Sequence, residues 1–237
     1  DLLEDLNAPA YKIASFEIVD IPLIRYAAST KKPLIISTGM AKKVEIEEAI
    51  DEALTHGAKG IGILHCVSGY PAKSSEYNLK VLQDFQKSFD AVTGISDHTL
   101  GTLTSIASVA LGASIIEKHF TLNRNGGGPD DSFSLEPNEF KKLCEQSLEV
   151  WLSLGNKNYE LKESESENVK FRRSLYFSEN IAKGCRINES NVKSVRPGYG
   201  LAPKYIDQIL GKIVTRNVER GEPVQWVDID SHDADHQ

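Results

Sequence analysis

The sequence predicts an α/β chain. It reads as the C-terminal five βα units of an eight-stranded (β/α)8 TIM barrel, followed by a small β-rich module. Three observations predict this. Short apolar runs alternate with amphipathic helical stretches over the first two-thirds of the chain. Runs that are apolar on both faces belong to a parallel sheet covered by helices. No GxGxxG follows any of these runs, so an open dinucleotide-binding sheet lacks its main marker. Each run also ends in polar residues, and a parallel barrel gathers its chemistry at the C-terminal ends of its strands.

In chain order, Tyr11 to Ser15 reads as a strand and Asp20 to Thr30 as a helix. Pro33 to Ser37 is a continuous apolar strand. Lys43 to His56 follows as a helix, with Ile46, Ala49, Ile50, Ala53 and Leu54 at helical spacing. Gly60 to Cys66 is the next strand and Leu79 to Lys87 the next helix. Ala91 to Ser96 then pairs with the alanine-rich helix Leu100 to Leu111, and Ser114 to His119 is the fifth strand. Pro137 to Leu154 is an amphipathic helix with proline in its first turn. Past it the pattern changes to short strands and turns: Ser174–Phe177, Ile181–Gly184, Val192–Gly198 and Gly211–Val214, with Val224 and Asp228 beyond a turn at Gly221.

This divides the chain into a partial barrel over 1–155, a polar linker over 156–170, a β-rich module over 171–231 and a disordered tail over 232–237. A closed barrel usually needs about 250 residues, so the expectation is that Asp1 marks a truncation with two open strand edges.

Composition narrows the function. With 27 basic and 34 acidic side chains the net charge is −7, which argues against nucleic acid or an anionic membrane as partner. Hydrophobic residues make up 40% of the 237, enough for a sizeable core, yet no run is long enough to span a bilayer. Cys66, Cys144 and Cys185 are odd in number and lack CxxC spacing, which fits free thiols in a reducing compartment, and no signal peptide opens the chain. The expectation is a cytoplasmic protein.

The strand ends carry the candidate chemistry. Lys12, Ser15, Ser37 and Ser96 offer one ammonium and three hydroxyls, donors suited to phosphate and carboxylate groups. A single serine at a strand end more often bonds nearby backbone; their joint appearance at successive strand ends favours the ligand. His98 and His119 end consecutive strands, which lie about 5 Å apart in a sheet. Both imidazoles can then reach one cation. Two histidines completed by substrate oxygens and water suit Mn²⁺, Co²⁺ or Mg²⁺, an ion able to act as a Lewis acid on a bound oxygen. His65 and Cys66 read as structural. Glu17 lies next to a helix start, Tyr70 on a loop, Asp130 after the glycine run Gly126–Gly128, and Arg196 before Pro197-Gly198. As bare sequence these four are ordinary loop or turn residues.

These segments resemble the sialic acid synthase (N-acetylneuraminate synthase) family. Lys12-Ile13-Ala14-Ser15-Phe16-Glu17, Ser37-Thr38-Gly39-Met40, His65-Cys66-Val67-Ser68-Gly69-Tyr70-Pro71, Gly94-Ile95-Ser96-Asp97-His98-Thr99 and Ile116-Glu117-Lys118-His119-Phe120-Thr121 are similar to the ends of its fourth to eighth barrel strands. Lys193-Ser194-Val195-Arg196-Pro197-Gly198 is similar to its C-terminal antifreeze-like (SAF) domain. Phe16, the loop Gly127 to Pro137, Ser68 and Tyr199 lean toward the pseudaminic acid synthase branch.

The resemblance implies a transferase that forms a carbon–carbon bond. It would condense phosphoenolpyruvate with 2,4-diacetamido-2,4,6-trideoxy-L-altrose and release phosphate. N-acetylneuraminate synthesis from N-acetylmannosamine, or a non-catalytic sugar-binding or interaction fragment, are the alternatives. It implies that Lys12, Ser15, Ser37 and Ser96 bind phosphoenolpyruvate, that Glu17, Ser68, Tyr70 and Asp130 face the substrate, and that His98 and His119 hold the metal. It also implies a domain-swapped homodimer in which Arg196 reaches a neighbouring barrel and binds the sugar's N-acyl group. The family's catalytic glutamate, with a further phosphate-binding lysine, lies on early strands that this sequence does not show, so no catalytic acid or base is assigned.

Overall fold

A computed structural model describes residues 1–230, and the expected tail over 232–237 lies outside them. The chain divides into two units, Asp1–Asn156 and Lys157–Gln237.

The first unit opens with a short helix, α1 (Leu2–Asp5), which the sequence reading did not anticipate. Five βα repeats follow: β1 (Tyr11–Ile13), α2 (Ile21–Ser29), β2 (Leu34–Ser37), α3 (Lys43–Thr55), β3 (Ile61–Cys66), α4 (Val81–Ser88), β4 (Val92–Asp97), α5 (Leu103–Ala110), β5 (Ile115–Lys118) and α6 (Pro137–Leu154). Local chemistry sets several boundaries. Asp20 accepts the Leu23 amide at 3.1 Å and caps α2. Glu139 accepts the Glu136 amide at 3.0 Å as part of a capping box at α6. The first strand is shorter than expected because Ser15–Glu17 turns into a 3-10 helix. The fifth helix begins at Leu103 rather than Leu100, after Gly101 takes φ +75°.

All four pairings are parallel, and the strand order is β1-β2-β3-β4-β5. Each crossover therefore steps one place in the same direction. A doubly wound sheet must reverse that direction at a switch point; this one does not. The five strands form a parallel half-barrel.

Alternation gives the sheet two distinct faces. Ile13, Leu34, Ile36, Ile61 and Ile63 pack with Ile24, Ala28, Ile46, Ala49, Ile50, Ala53 and Phe85 in the buried core beneath the helices. The register then assigns Lys12, Ile35, Ser37, Gly62, Leu64, Cys66, Gly94, Ser96, Ile115 and Glu117 to the opposite, concave face. The strand ends of that face carry the polar groups.

In the second unit β6 (Ser174–Phe177) pairs antiparallel with β7 (Val192–Val195). The expected strands Ile181–Gly184 and Gly211–Val214 appear only as isolated bridges, Ile181↔Val218, Arg186↔Ile213 and Val214↔Ile229. Successive residues there pair with different neighbours, so no ladder builds. Two short helices were also unanticipated: α7 (Glu163–Ser166), within the stretch read as linker, and α8 (Ile206–Ile209). Leu175, Phe177, Ile187, Val192, Ile209, Val214, Val218 and Val224 form this unit's own buried core.

Candidate active site at the strand ends of the half-barrel

The C-terminal ends of the strands bring most of the sequence-predicted residues onto one surface. Lys12 on β1 lies 3.5 Å from Glu117 on β5. Ser96 on β4 donates from Oγ to the same carboxylate at 2.6 Å. Lys12 Nζ also donates to the Ile13 carbonyl at 3.1 Å. Ammonium, hydroxyl and carboxylate thus meet in one cluster.

Ser15 and Ser68 flank Gly39. The Gly39 amide donates to Ser15 Oγ at 3.0 Å. A Cβ on Gly39 would fall 2.2 Å from Ser68 Oγ and 2.8 Å from Ser15 Oγ, so only glycine lets the two hydroxyls approach this loop. Ser37, at the end of β2, is buried, and its Oγ has no hydrogen-bond partner among the described residues. An unpaired buried hydroxyl costs about 1–3 kcal/mol. A ligand oxygen at the strand ends would satisfy it.

His98 and His119 lie together, with ring centroids 5.2 Å apart. Tyr70 covers them: its ring is 4.3 Å from His98 and 5.8 Å from His119. The loop carrying Tyr70 is fixed by the Ala72 amide, which donates to the His98 carbonyl at 2.9 Å. Asp130 approaches His119 Nδ1 at 3.4 Å, and Phe133 packs on the same ring at 5.1 Å. The loop that carries Asp130 is tied down by Arg124, whose guanidinium bonds the Ser134 carbonyl and Glu139. Glu17 is half-buried in the 3-10 turn that starts at Ser15. Arg196 is exposed in the second unit, ahead of a cis peptide bond to Pro197.

Three support residues escaped the sequence reading. Tyr77 donates its hydroxyl to the Ser96 carbonyl, and its own carbonyl accepts from His65 Nε2 at 2.5 Å. His65 is therefore structural, and burial pushes its pKa down. Asp97 and Lys118 form an ion pair of 3.0 Å whose side chains are 0% and 1% exposed. Glu117 was also missed, although its place two residues before His119 in a strand puts both on one face.

The electrostatics push the two imidazoles apart. Burial lowers the His98 pKa, but hydrogen bonds to Cys66 and the Val67 carbonyl, with the charges of Cys66 and Glu117, outweigh it and leave the ring above its ordinary value. Burial lowers His119, and the charge of His98 lowers it further. Cys66, 3.8 Å from His98, is raised by burial but held lower overall by hydrogen bonds from His98 and Ser15.

The imidazole pair could supply two ligands to an octahedral cation. His98 Nδ1 donates to the Val67 carbonyl at 2.9 Å, which leaves Nε2 as its ligating nitrogen. At the second ring the Asp130 carboxylate stands 3.4 Å from His119 Nδ1, so a negative charge faces that nitrogen. Among the described residues no group of three or more His, Cys, Asp and Glu side chains could hold a metal ion. Water and substrate oxygens would have to complete the shell, which suits Mn²⁺, Co²⁺ or Mg²⁺ better than a closed zinc site.

No helix among the described residues is long and apolar enough to cross a membrane.

Residues 1–159 match the NeuB family and residues 172–230 the SAF domain. The chain is 41% identical to an N,N'-diacetyllegionaminic acid synthase of Campylobacter jejuni, over 95% of this chain and 68% of that protein. It is equally, 41%, identical to a pseudaminic acid synthase of Helicobacter pylori, over 97% of this chain and 68% of that one. Among solved structures, it is similar to the spore coat polysaccharide biosynthesis protein of Bacillus subtilis, with a TM-score of 0.63 at 33% identity over 98% of this chain and 71% of that chain. The N-acetylneuraminic acid synthetase of Leptospira borgpetersenii gives 0.67 at 34% identity, over 71% of this chain and 59% of that chain.

Proposed function

The chain belongs to the NeuB family, and from that premise we propose that it condenses phosphoenolpyruvate with 2,4-diacetamido-2,4,6-trideoxy-L-altrose. A new bond joins the enol methylene carbon to the aldehyde carbon, water adds at the enol carbon as phosphate leaves with the C–O bond, and pseudaminic acid forms, in the cytoplasm. The observation that carries this reading is the meeting of the Lys12, Ser96 and Glu117 cluster with an imidazole pair at the same strand ends.

Lys12, Ser15, Ser37 and Ser96 hold the phosphate and carboxylate of phosphoenolpyruvate. Before binding, Glu117 neutralises Lys12; on binding, Lys12 turns to the anion and Glu117 remains beside the reacting carbons. His98 and His119 would hold Mn²⁺, Co²⁺ or Mg²⁺ through the ring nitrogens turned away from the Val67 carbonyl and Asp130. Held there, such an ion would supply Lewis-acid polarisation to the aldehyde oxygen of the open-chain sugar. Glu17, Ser68, Tyr70 and Asp130 orient the sugar. Arg196, supplied by the partner copy of a domain-swapped dimer, binds the N-acyl group. An acid or base for the reaction is not assigned.

The equal identity to the legionaminic acid enzyme supports a second reading, in which the sugar is the precursor of N,N'-diacetyllegionaminic acid. Phe16 and Tyr199, both more than half exposed, lean toward the first reading by the family pattern. The test is phosphate release by the product of the complete reading frame, given phosphoenolpyruvate, Mn²⁺ and each sugar in turn. Preference for the altrose derivative is expected. Preference for N-acetylmannosamine or the legionaminic precursor overturns the choice of sugar, and no release with any sugar overturns the synthase reading.

A further inference from the structure

Behind the two histidines, on the helix side of the sheet, Asp97 of β4 and Lys118 of β5 stand opposite each other in register. Their Oδ2 and Nζ are 3.0 Å apart and their side chains are shut from solvent. The contacts around them close on one turn. Asp97 Oδ1 accepts the Thr99 amide at 2.8 Å and the Thr99 hydroxyl at 2.7 Å, closing a ring around His98. Lys118 donates to the Thr99 carbonyl, so the ammonium grips the same turn from the neighbouring strand. Ser105 of α5 donates to Asp97 Oδ2, fixing the turn to a helix. The residue after Lys118 is His119.

Stability alone does not account for this network. A buried ion pair loses its hydration, and replacing both members by uncharged side chains of similar volume is often neutral or stabilising. What the pair does set is geometry. It holds the turn containing His98 against the strand end containing His119, and neither of its charges points to the concave face.

We propose that Asp97 and Lys118 are positioning residues that fix the spacing of the His98 and His119 imidazoles for metal binding, an inference that rests on the metal site proposed above. Groups behind metal ligands are typically worth about 10–100-fold in affinity.

The test is calorimetric Mn²⁺ titration of the complete protein, with phosphoenolpyruvate titrated separately without metal. The double variant Asp97→Asn/Lys118→Met keeps the volume and removes both charges. It is expected to stay folded, to weaken Mn²⁺ binding by about tenfold or more and to leave phosphoenolpyruvate binding unchanged. A merely structural pair would lower both affinities together or neither, and either result overturns the proposal. Should the double variant not fold, Ser105→Ala removes a single donor; several-fold weaker Mn²⁺ binding is then expected, and unchanged binding overturns the proposal. His98→Ala separates the two levels. If it abolishes Mn²⁺ binding while the double variant matches wild type, the positioning role alone fails. If His98→Ala leaves Mn²⁺ binding intact, the metal site fails and the positioning role falls with it.

Discussion

Lys12 and Glu117 touch at 3.5 Å although they sit on the first and last strands of the sheet. In a flat sheet of this order the two strands would lie about 19 Å apart, at about 4.8 Å per step. Two extended side chains cannot cover that distance, so the sheet is strongly curled and its concave face closes on the site. The contact also sets an electrostatic state: the Lys12 ammonium, proposed to bind the anionic substrate, is held by a carboxylate.

That state gives a first prediction. Glu117→Gln removes the competitor for Lys12 and Ser96, so phosphate and phosphoenolpyruvate should bind about threefold tighter or more, while turnover falls. Lys12→Met should weaken both anions. Calorimetry with each anion checks the signs; weaker anion binding in Glu117→Gln would contradict the account.

The imidazole pair gives the second. His98→Ala and His119→Ala should each weaken Mn²⁺ binding by about a hundredfold or more, since among the described residues no third His, Cys, Asp or Glu joins the pair. Unchanged Mn²⁺ titrations in both variants would remove the metal site.

The pH dependence of that binding follows from Cys66. A cation must displace any proton on His98, whose pKa lies above the ordinary 6.5. Mn²⁺ affinity should therefore begin to fall with decreasing pH while the pH is still above 6.5, and His119, lowered by burial, adds its loss only below it. Cys66→Ala removes a group that raises His98, so the decline should move to lower pH. Titrations at a series of pH values check this, and an unmoved midpoint would show that the thiol does not tune the ring.

Gly39→Ala tests the serine cluster. The added methyl would overlap Ser68 Oγ and crowd Ser15 Oγ. Phosphoenolpyruvate binding should weaken by about tenfold with Mn²⁺ binding retained, because the histidines lie on other strand ends. Equal loss of both ligands would mean the substitution had disturbed the whole half-barrel.

Arg196→Ala bears on the second unit. If this guanidinium binds the sugar's N-acyl group, the sugar KM should rise by about tenfold or more and the phosphoenolpyruvate KM should change little. Equal rises would point to a general effect on folding or assembly.

Much of this was legible in the sequence. Each of the five strands appears where an apolar run such as Leu34-Ile35-Ile36 lies, because burial on both faces leaves a strong signal. His98 and His119 could be paired because each closes a strand. Glu117 was legible in principle by period-two alternation from His119. Asp97 and Lys118 were not: alone, each is a charge at a strand end. Only the register Asp97↔Lys118 and the turn through Thr99 reveal an ion pair facing the helices. Tyr77 was hidden for a similar reason, reaching Ser96 from a loop between β3 and α4. In the second unit the strands at Ile181 and Val214 broke into single bridges, since local β-propensity does not specify which neighbour each residue will meet.

The most direct measurement is a crystal structure of the complete protein with Mn²⁺ and phosphoenolpyruvate, using anomalous scattering to locate the ion. The account predicts one peak bonded to Nε2 of both His98 and His119, with the phosphoenolpyruvate phosphate or carboxylate on Lys12 and Ser15. A peak away from either imidazole, or an enol phosphate bound off the concave face, would contradict it.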